Sequence, residues 1–254
     1  MTAEAILDAL DLPKRAKLGS RLPKQTLADK IALTAADRKA VREEVETANW
    51  LAALKPENIG VPAVVEDERE YREIHVVGVV LRSDKRRGRL LTLLHRGIPY
   101  PLLLLAETPG EIFISVADKR ITSSGKAVLD TLYPLDVTAP ERFPADFVGE
   151  ISLSGQPLAN MRTLYNGWVG RVAALGIWET AGVYLPAQAT FSHSELVNLL
   201  NTLRRLERDI HKLGHEAARA RRMSRRVELN MEHAKLKGER RRLIESLKEV
   251  GVWA

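Results

Sequence analysis

His211 and His215 stand four residues apart, with Glu207 one turn before them, so on a helix all three could face one metal ion. The pattern lacks the internal Glu of the zinc-protease helix, and its neighbours are cationic, so a solvated helix face accounts for it better. Ser123-Ser124-Gly125-Lys126 has the look of a phosphate loop, but no upstream glycine sits at the required spacing. Gly149 to Gly155 sets serines among glycines without the spacing of a nucleophile elbow, and a strand edge entering a turn explains it. A metal-dependent nuclease wants acids and a lysine gathered around one cation. Glu111, Asp118 and Lys119 lie near one expected strand, yet Asp118 and Lys119 are adjacent and point to opposite faces, with Arg120 leaving a basic strand end. No catalytic, cofactor-binding or metal-ligating residue is assigned on these grounds. The chain contains no cysteine, which removes disulfides, thiolate metal sites and thiol nucleophiles together.

The charge that remains has a place. From Arg204 to Arg242, fourteen Lys and Arg face six Asp and Glu, a net +8; the whole chain carries +6, so the rest sums to −2. A near-neutral body with a cationic arm suits a polyanion or an acidic protein surface. Arg219, Arg221, Arg222, Arg225 and Arg226 are the densest run. At about 100° per residue they cover most of a helix circumference, and no aromatic platform for single-stranded nucleic acid lies among them. Contact with nucleic acid would therefore be with the backbone, independent of sequence.

The elements that must carry these residues read as follows. A short helix and an extended stretch marked by Leu12-Pro13 and Leu22-Pro23 occupy residues 1–30. Thr34-Ala35-Ala36-Asp37 has capping-box spacing, and Val41, Val45, Ala48, Leu51 and Leu54 then form one apolar helical stripe that Pro56 ends. The charged segment 66–73 reads as a solvent-facing lead-in. Ile74–Leu81 predicts a buried strand, residues 90–97 a helix, Tyr100–Ala106 and Ile112–Ala117 a hairpin turning at Pro109-Gly110, and Phe147–Leu153 a fourth strand. Leu158, Met161, Tyr165, Trp168, Val172 and Leu175 follow a seam of period near 3.5 after Pro157. Ser192-His193-Ser194-Glu195 opens the arm, where Leu196, Leu199, Leu203, Leu206, Ile210 and Leu213 repeat that spacing. Beyond Gly214 the stripe weakens, and no second seam within the chain remains to cover residues 215–250. An intramolecular hairpin, self-association and a partner helix are all open for the two seams.

The fold class expected is α+β: a small, mostly antiparallel sheet flanked by helices, residues 1–190, followed by a long, basic, coiled-coil-like helical arm, residues 191–254. The longest mostly apolar run, Ile98–Ala106, is about half of a membrane span, and the first residues carry acids where a signal peptide has bases, so a cytoplasmic protein is expected.

Several short pieces resemble a bacterial family, that of the domain of unknown function 4391. They are Leu12-Pro13 with Leu22-Pro23-Lys24, Trp50-Leu51 with Leu54 and Pro56 to Ile59, Ile98-Pro99-Tyr100-Pro101 before an apolar strand, and Arg225-Arg226-Val227-Glu228-Leu229-Asn230. The resemblance brings no catalytic residues. It implies an accessory protein beside SNF2-type helicases and DNA methyltransferases, in clusters similar to restriction or antiphage systems. The function expected is thus a non-catalytic accessory subunit docking such a partner through the Leu196–Leu213 seam and the arginine run, without a cofactor. A sequence-independent nucleic-acid binder is the alternative, and a metal-dependent nuclease the second.

Overall fold

The computed structural model describes residues 3–66, 69–121, 127–138, 143–189 and 191–253. They divide into two compact units, Met1–Val172 and Ala173–Ala254. The division falls inside a helix, Met161–Ala181.

The first unit begins with α1 (Ala3–Ala9), β1 (Lys17–Arg21), α2 (Lys24–Ile31) and α3 (Ala35–Glu44). Thr34 caps α3 as its spacing predicts: its hydroxyl accepts from Asp37 N at 3.1 Å, and Asp37 accepts from Thr34 N at 3.2 Å. The helix nevertheless stops at Glu44, and β2 (Val45–Leu54) follows where the stripe predicts more helix. Two irregularities in the pairing of β2, at Val45/Thr47 and Trp50/Ala52, explain the misreading. Each bulge inserts a residue and shifts the phase of a strand's alternation, so Val45, Ala48 and Ala52 are buried at intervals that imitate a helix.

After α4 (Pro56–Ile59) and the small ladder of β3 (Val64–Glu66) with β4 (Arg69–Tyr71) come β5 (Ile74–Leu81), α5 (Arg87–Gly97), β6 (Leu102–Thr108), β7 (Glu111–Ile121) and β8 (Ala127–Asp136). The expected strands at 74–81, 100–106 and 112–117 are present as β5, β6 and β7. Gly110, with φ 91°, makes the β6–β7 turn, a conformation that glycine adopts without a Cβ penalty. The sheet runs β1-β2-β5-β6-β7-β8. It is mixed, not the small, mostly antiparallel sheet expected: β5 and β6 pair in parallel because α5 carries the chain back across the sheet between them. Phe147–Leu153, expected as a strand, instead overlaps α6 (Ala145–Glu150), with Phe147 and Ile151 buried four residues apart.

One face of the sheet buries Val77, Val79, Leu104 and Ala106 against Leu27, Ile31, Val41, Leu90, Leu91 and Leu94 of α2, α3 and α5. Leu103 and Leu105 alternate to the other face, where Tyr165 of α7 (Met161–Ala181) meets the strands. The second unit contains the end of α7, β9 (Val183–Tyr184), α8 (His193–Arg219), α9 (Met223–Lys248) and β10 (Val252–Trp253), which pairs with β9. Among the described residues no helix is long and apolar enough to cross a membrane.

Candidate functional site

α8 starts where its sequence predicts. Ser192 N donates to Glu195 Oε2 at 2.7 Å, and Glu195 N donates to Ser192 Oγ at 3.3 Å. Of the seam, Leu196, Leu203 and Leu206 are buried, while Leu199, Ile210 and Leu213 are half-buried; Leu200 and Ala217 complete the inner face. The expected long coiled-coil arm is not seen among the described residues. Ala220 and Arg222 take extended backbone angles, and after that short break α9 folds back along α8. Gly214 lies opposite His233, as an antiparallel pair requires. The residues expected to lack a cover are therefore themselves the cover: Leu229 and Leu247 of α9 are buried, and Leu236, Leu243 and Ile244 half-buried. At the base, Leu200 meets Gly176 of α7, where a Cβ would come within 2.9 Å of Leu200 Cδ2.

The five arginines gather where the chain turns back. Arg219, Arg221, Arg222, Arg225 and Arg226 are all exposed. Arg225 pairs with Glu228 at 3.1 Å and Arg226 Nη2 donates to Met223 Sδ at 3.1 Å; the other three make no ion pair among the described residues. They surround the first turn of α9, which has no side-chain cap. Free N–H groups and the positive end of the helix dipole add to their charge, so an anionic group is strongly favoured there. Beside them Met223, Val227 and Met231, spaced by four, are 66%, 50% and 70% exposed. That spacing makes one apolar strip on α9. Met223 had no signal of its own in the sequence, because only the helix start at that residue aligns it with the other two.

The remaining chemistry is dispersed. His211 and His215 touch, with ring centroids 4.7 Å apart, but no group of three metal-ligating side chains occurs among the described residues. Glu111 pairs with Arg87 at 2.9 Å at one end of β7, while Asp118 pairs with Arg69 at the other. Eight residues of strand, roughly 26 Å, separate Glu111 from Lys119. Lys119 turns inward, donating to Ile98 O at 2.8 Å and His95 O at 3.2 Å, and burial pulls its ammonium down to about 7. The three are not brought together. Ser123–Lys126 lies outside the described residues, and Ser152 closes a turn by accepting from Gly155 N at 3.1 Å.

Near Lys119, at the end of the sheet where the parallel pair begins, a polar cluster had only partial signals in the sequence. Trp50 Nε1 donates to His75 Nδ1, which leaves the proton of a neutral imidazole on Nε2, 3.1 Å from Glu73 Oε2. Burial lowers the His75 pKa despite that carboxylate. Tyr100 stacks on His75 at 4.1 Å, and burial, then Glu73, raises its phenol pKa. Trp50 and Tyr100 lie in the short pieces of sequence that carry the family resemblance, and here they flank one histidine. Glu73, Arg69 and Tyr71 come from the charged stretch expected to face solvent. His75 Nε2 and Glu73 Oε2 lie 3.1 Å apart, yet neither atom completes a hydrogen bond among the described residues, so two buried polar atoms face each other at this end of the sheet.

The model of a family described as a domain of unknown function (DUF4391) matches residues 10–239. No curated protein and no solved structure matches the chain.

Proposed function

Because the chain belongs to the domain of unknown function 4391 family, we propose that it is a non-catalytic accessory subunit of a bacterial, cytoplasmic, DNA-acting system of restriction or antiphage type. It docks a larger partner, an SNF2-type helicase or a DNA methyltransferase, through the turn between α8 and α9. The supporting observation is the exposed strip of Met223, Val227 and Met231 set among exposed arginines. An acidic protein surface with an apolar centre complements both parts, and arginine with methionine is an enriched combination at interfaces. Phosphate contact alone leaves the apolar strip unused.

Co-expression with a candidate SNF2-type helicase or DNA methyltransferase tests this. The variant Arg221→Ala/Arg222→Ala/Arg225→Ala/Arg226→Ala is expected to lose co-purification, as is Met223→Ser/Met231→Ser. Retention of the partner by both sinks the proposal. The uncapped, arginine-ringed start of α9 also supports the second reading, sequence-independent nucleic-acid binding. In that case the free chain binds duplex DNA with a log–log salt slope of about −0.9 per phosphate contacted, and the quadruple variant abolishes it.

A further inference from the structure

Farther along the hairpin, away from the turn, a groove of about 540 Å³ opens between α8 and α9. Its walls are Glu207, Ile210 and His211 on one helix and Lys237, Arg240, Arg241, Ile244 and Glu245 on the other. Positions three and four apart on each helix form the ridges that a third helix fits between. Ile210 and Ile244 are only half-buried, so the floor is apolar and open.

The groove has a defined head. Arg240 Nη2 donates to Thr180 O at 2.5 Å, one residue before the end of α7, so α7 stops where the groove begins. That leaves a three-helix arrangement at the base of the hairpin and two helices beyond it. The guanidinium that closes the end of α7 also keeps a buried Nε with no acceptor among the described residues, a costly state for a charged donor.

We propose that this groove receives an acidic amphipathic helix of the partner protein, laid in as the third helix beyond α7. The proposal rests on the docking reading above and adds a second contact, separate from the arginine turn. Apolar side chains of the incoming helix cover Ile210 and Ile244, and its carboxylates meet Lys237, Arg240 and Arg241. A second copy of this chain fits poorly, since residues 204–242 carry a net +8 and would face the same charge. Phosphates fit poorly as well, because they would leave the apolar floor of Ile210 and Ile244 uncovered.

The test uses the full chain, whose lack of cysteine lets a single Glu245→Cys carry one environment-sensitive bimane label. The probe is a synthetic helical peptide with Leu at the a and d positions and Glu beside them. Saturable enhancement of the label is expected, about tenfold weaker in Lys237→Glu/Arg241→Glu and unchanged in the arginine-turn quadruple variant. Lys237→Gln/Arg241→Gln keeps the side-chain stems and is expected to weaken binding in the same direction, so misfolding of the charge reversal does not decide the result. Absence of a response, or full binding by both groove variants, overturns the groove. So does a dimer in light scattering that the groove variants dissociate, or displacement of the peptide by a short DNA duplex. Loss of the partner by the arginine-turn variant alone would then leave the docking reading standing without the groove.

Discussion

Lys119→Met removes a charge that the folded chain holds at a cost, and the cost depends on pH. Its Nζ is buried against the carbonyls of His95 and Ile98, with no acid paired to it among the described residues, and burial takes its pKa from 10.5 to about 7. Between those values the unfolded chain binds a proton that the folded chain has released. Stability from this site therefore rises with pH, is complete above 10.5 and is lost below about 7. One pH unit corresponds to about 1.4 kcal/mol, and with half-titration at the lower limit the gain from about pH 7 to about pH 9 comes to about 2 kcal/mol. Methionine keeps the stem and has no such slope. Urea unfolding of both proteins at the two pH values measures it, in a background with Trp178 and Trp253 changed to Phe so that Trp50 and Trp168 report on the first unit. Wild type is expected to gain about 2 kcal/mol on the variant across that interval. A flat difference would show that Lys119 keeps its proton in the fold, held by the two carbonyls, and would refute the reasoning.

Tyr165→Phe is expected to destabilise the first unit by about 1–3 kcal/mol, because the buried Ala117 N–H loses its acceptor. The same hydroxyl lies 3.0 Å from both Leu102 O and Ala117 O, so thermal unfolding should begin earlier, and an unchanged midpoint would mean another group takes its place. Gly97→Ala is expected to cost about 1–3 kcal/mol or more in chemical denaturation. Its Cβ would fall 2.3 Å from Ile31 Cγ2 and 2.7 Å from Ile31 Cα, so adding Ile31→Ala should fail to restore stability; full rescue would place the clash in the side chain alone.

Local signals in the sequence were legible where they agreed with tertiary structure. Both capping boxes form, and β5 reads directly because a strand covered on both faces is apolar throughout. β2 was illegible because its bulges disguise its period, and no single-sequence argument supplies the pairing with β5 that forces them. The helix expected over residues 90–97 places a stop at Gly97. α5 does end there, but the closer constraint is Ile31 of a helix far away in sequence. The seam of α8 was visible, while its cover was not: Leu229, Leu236, Leu243 and Leu247 are spaced by seven and four, too sparse to announce a partner until α8 lies beside them. For the proposed interface, the charge at the turn was plain from composition. The apolar strip beside it was not, because exposure of Met223 and Met231 depends on which side of α9 faces α8.

The short pairing of β10 with β9 has a consequence for how the second unit comes apart. It joins Tyr184 to Val252, which stand 68 positions apart in the chain. Closing a free loop of that length costs about 4 kcal/mol in lost chain entropy. A ladder of two residues on each side returns only about 1 kcal/mol per hydrogen bond, so it cannot form until α8 and α9 have already shortened the path between its strands. It is a clasp that holds only when the hinge is folded. Its amides should exchange with solvent at the rate at which the helical hairpin opens, making the last strand a gauge of the hairpin's integrity and not a source of it.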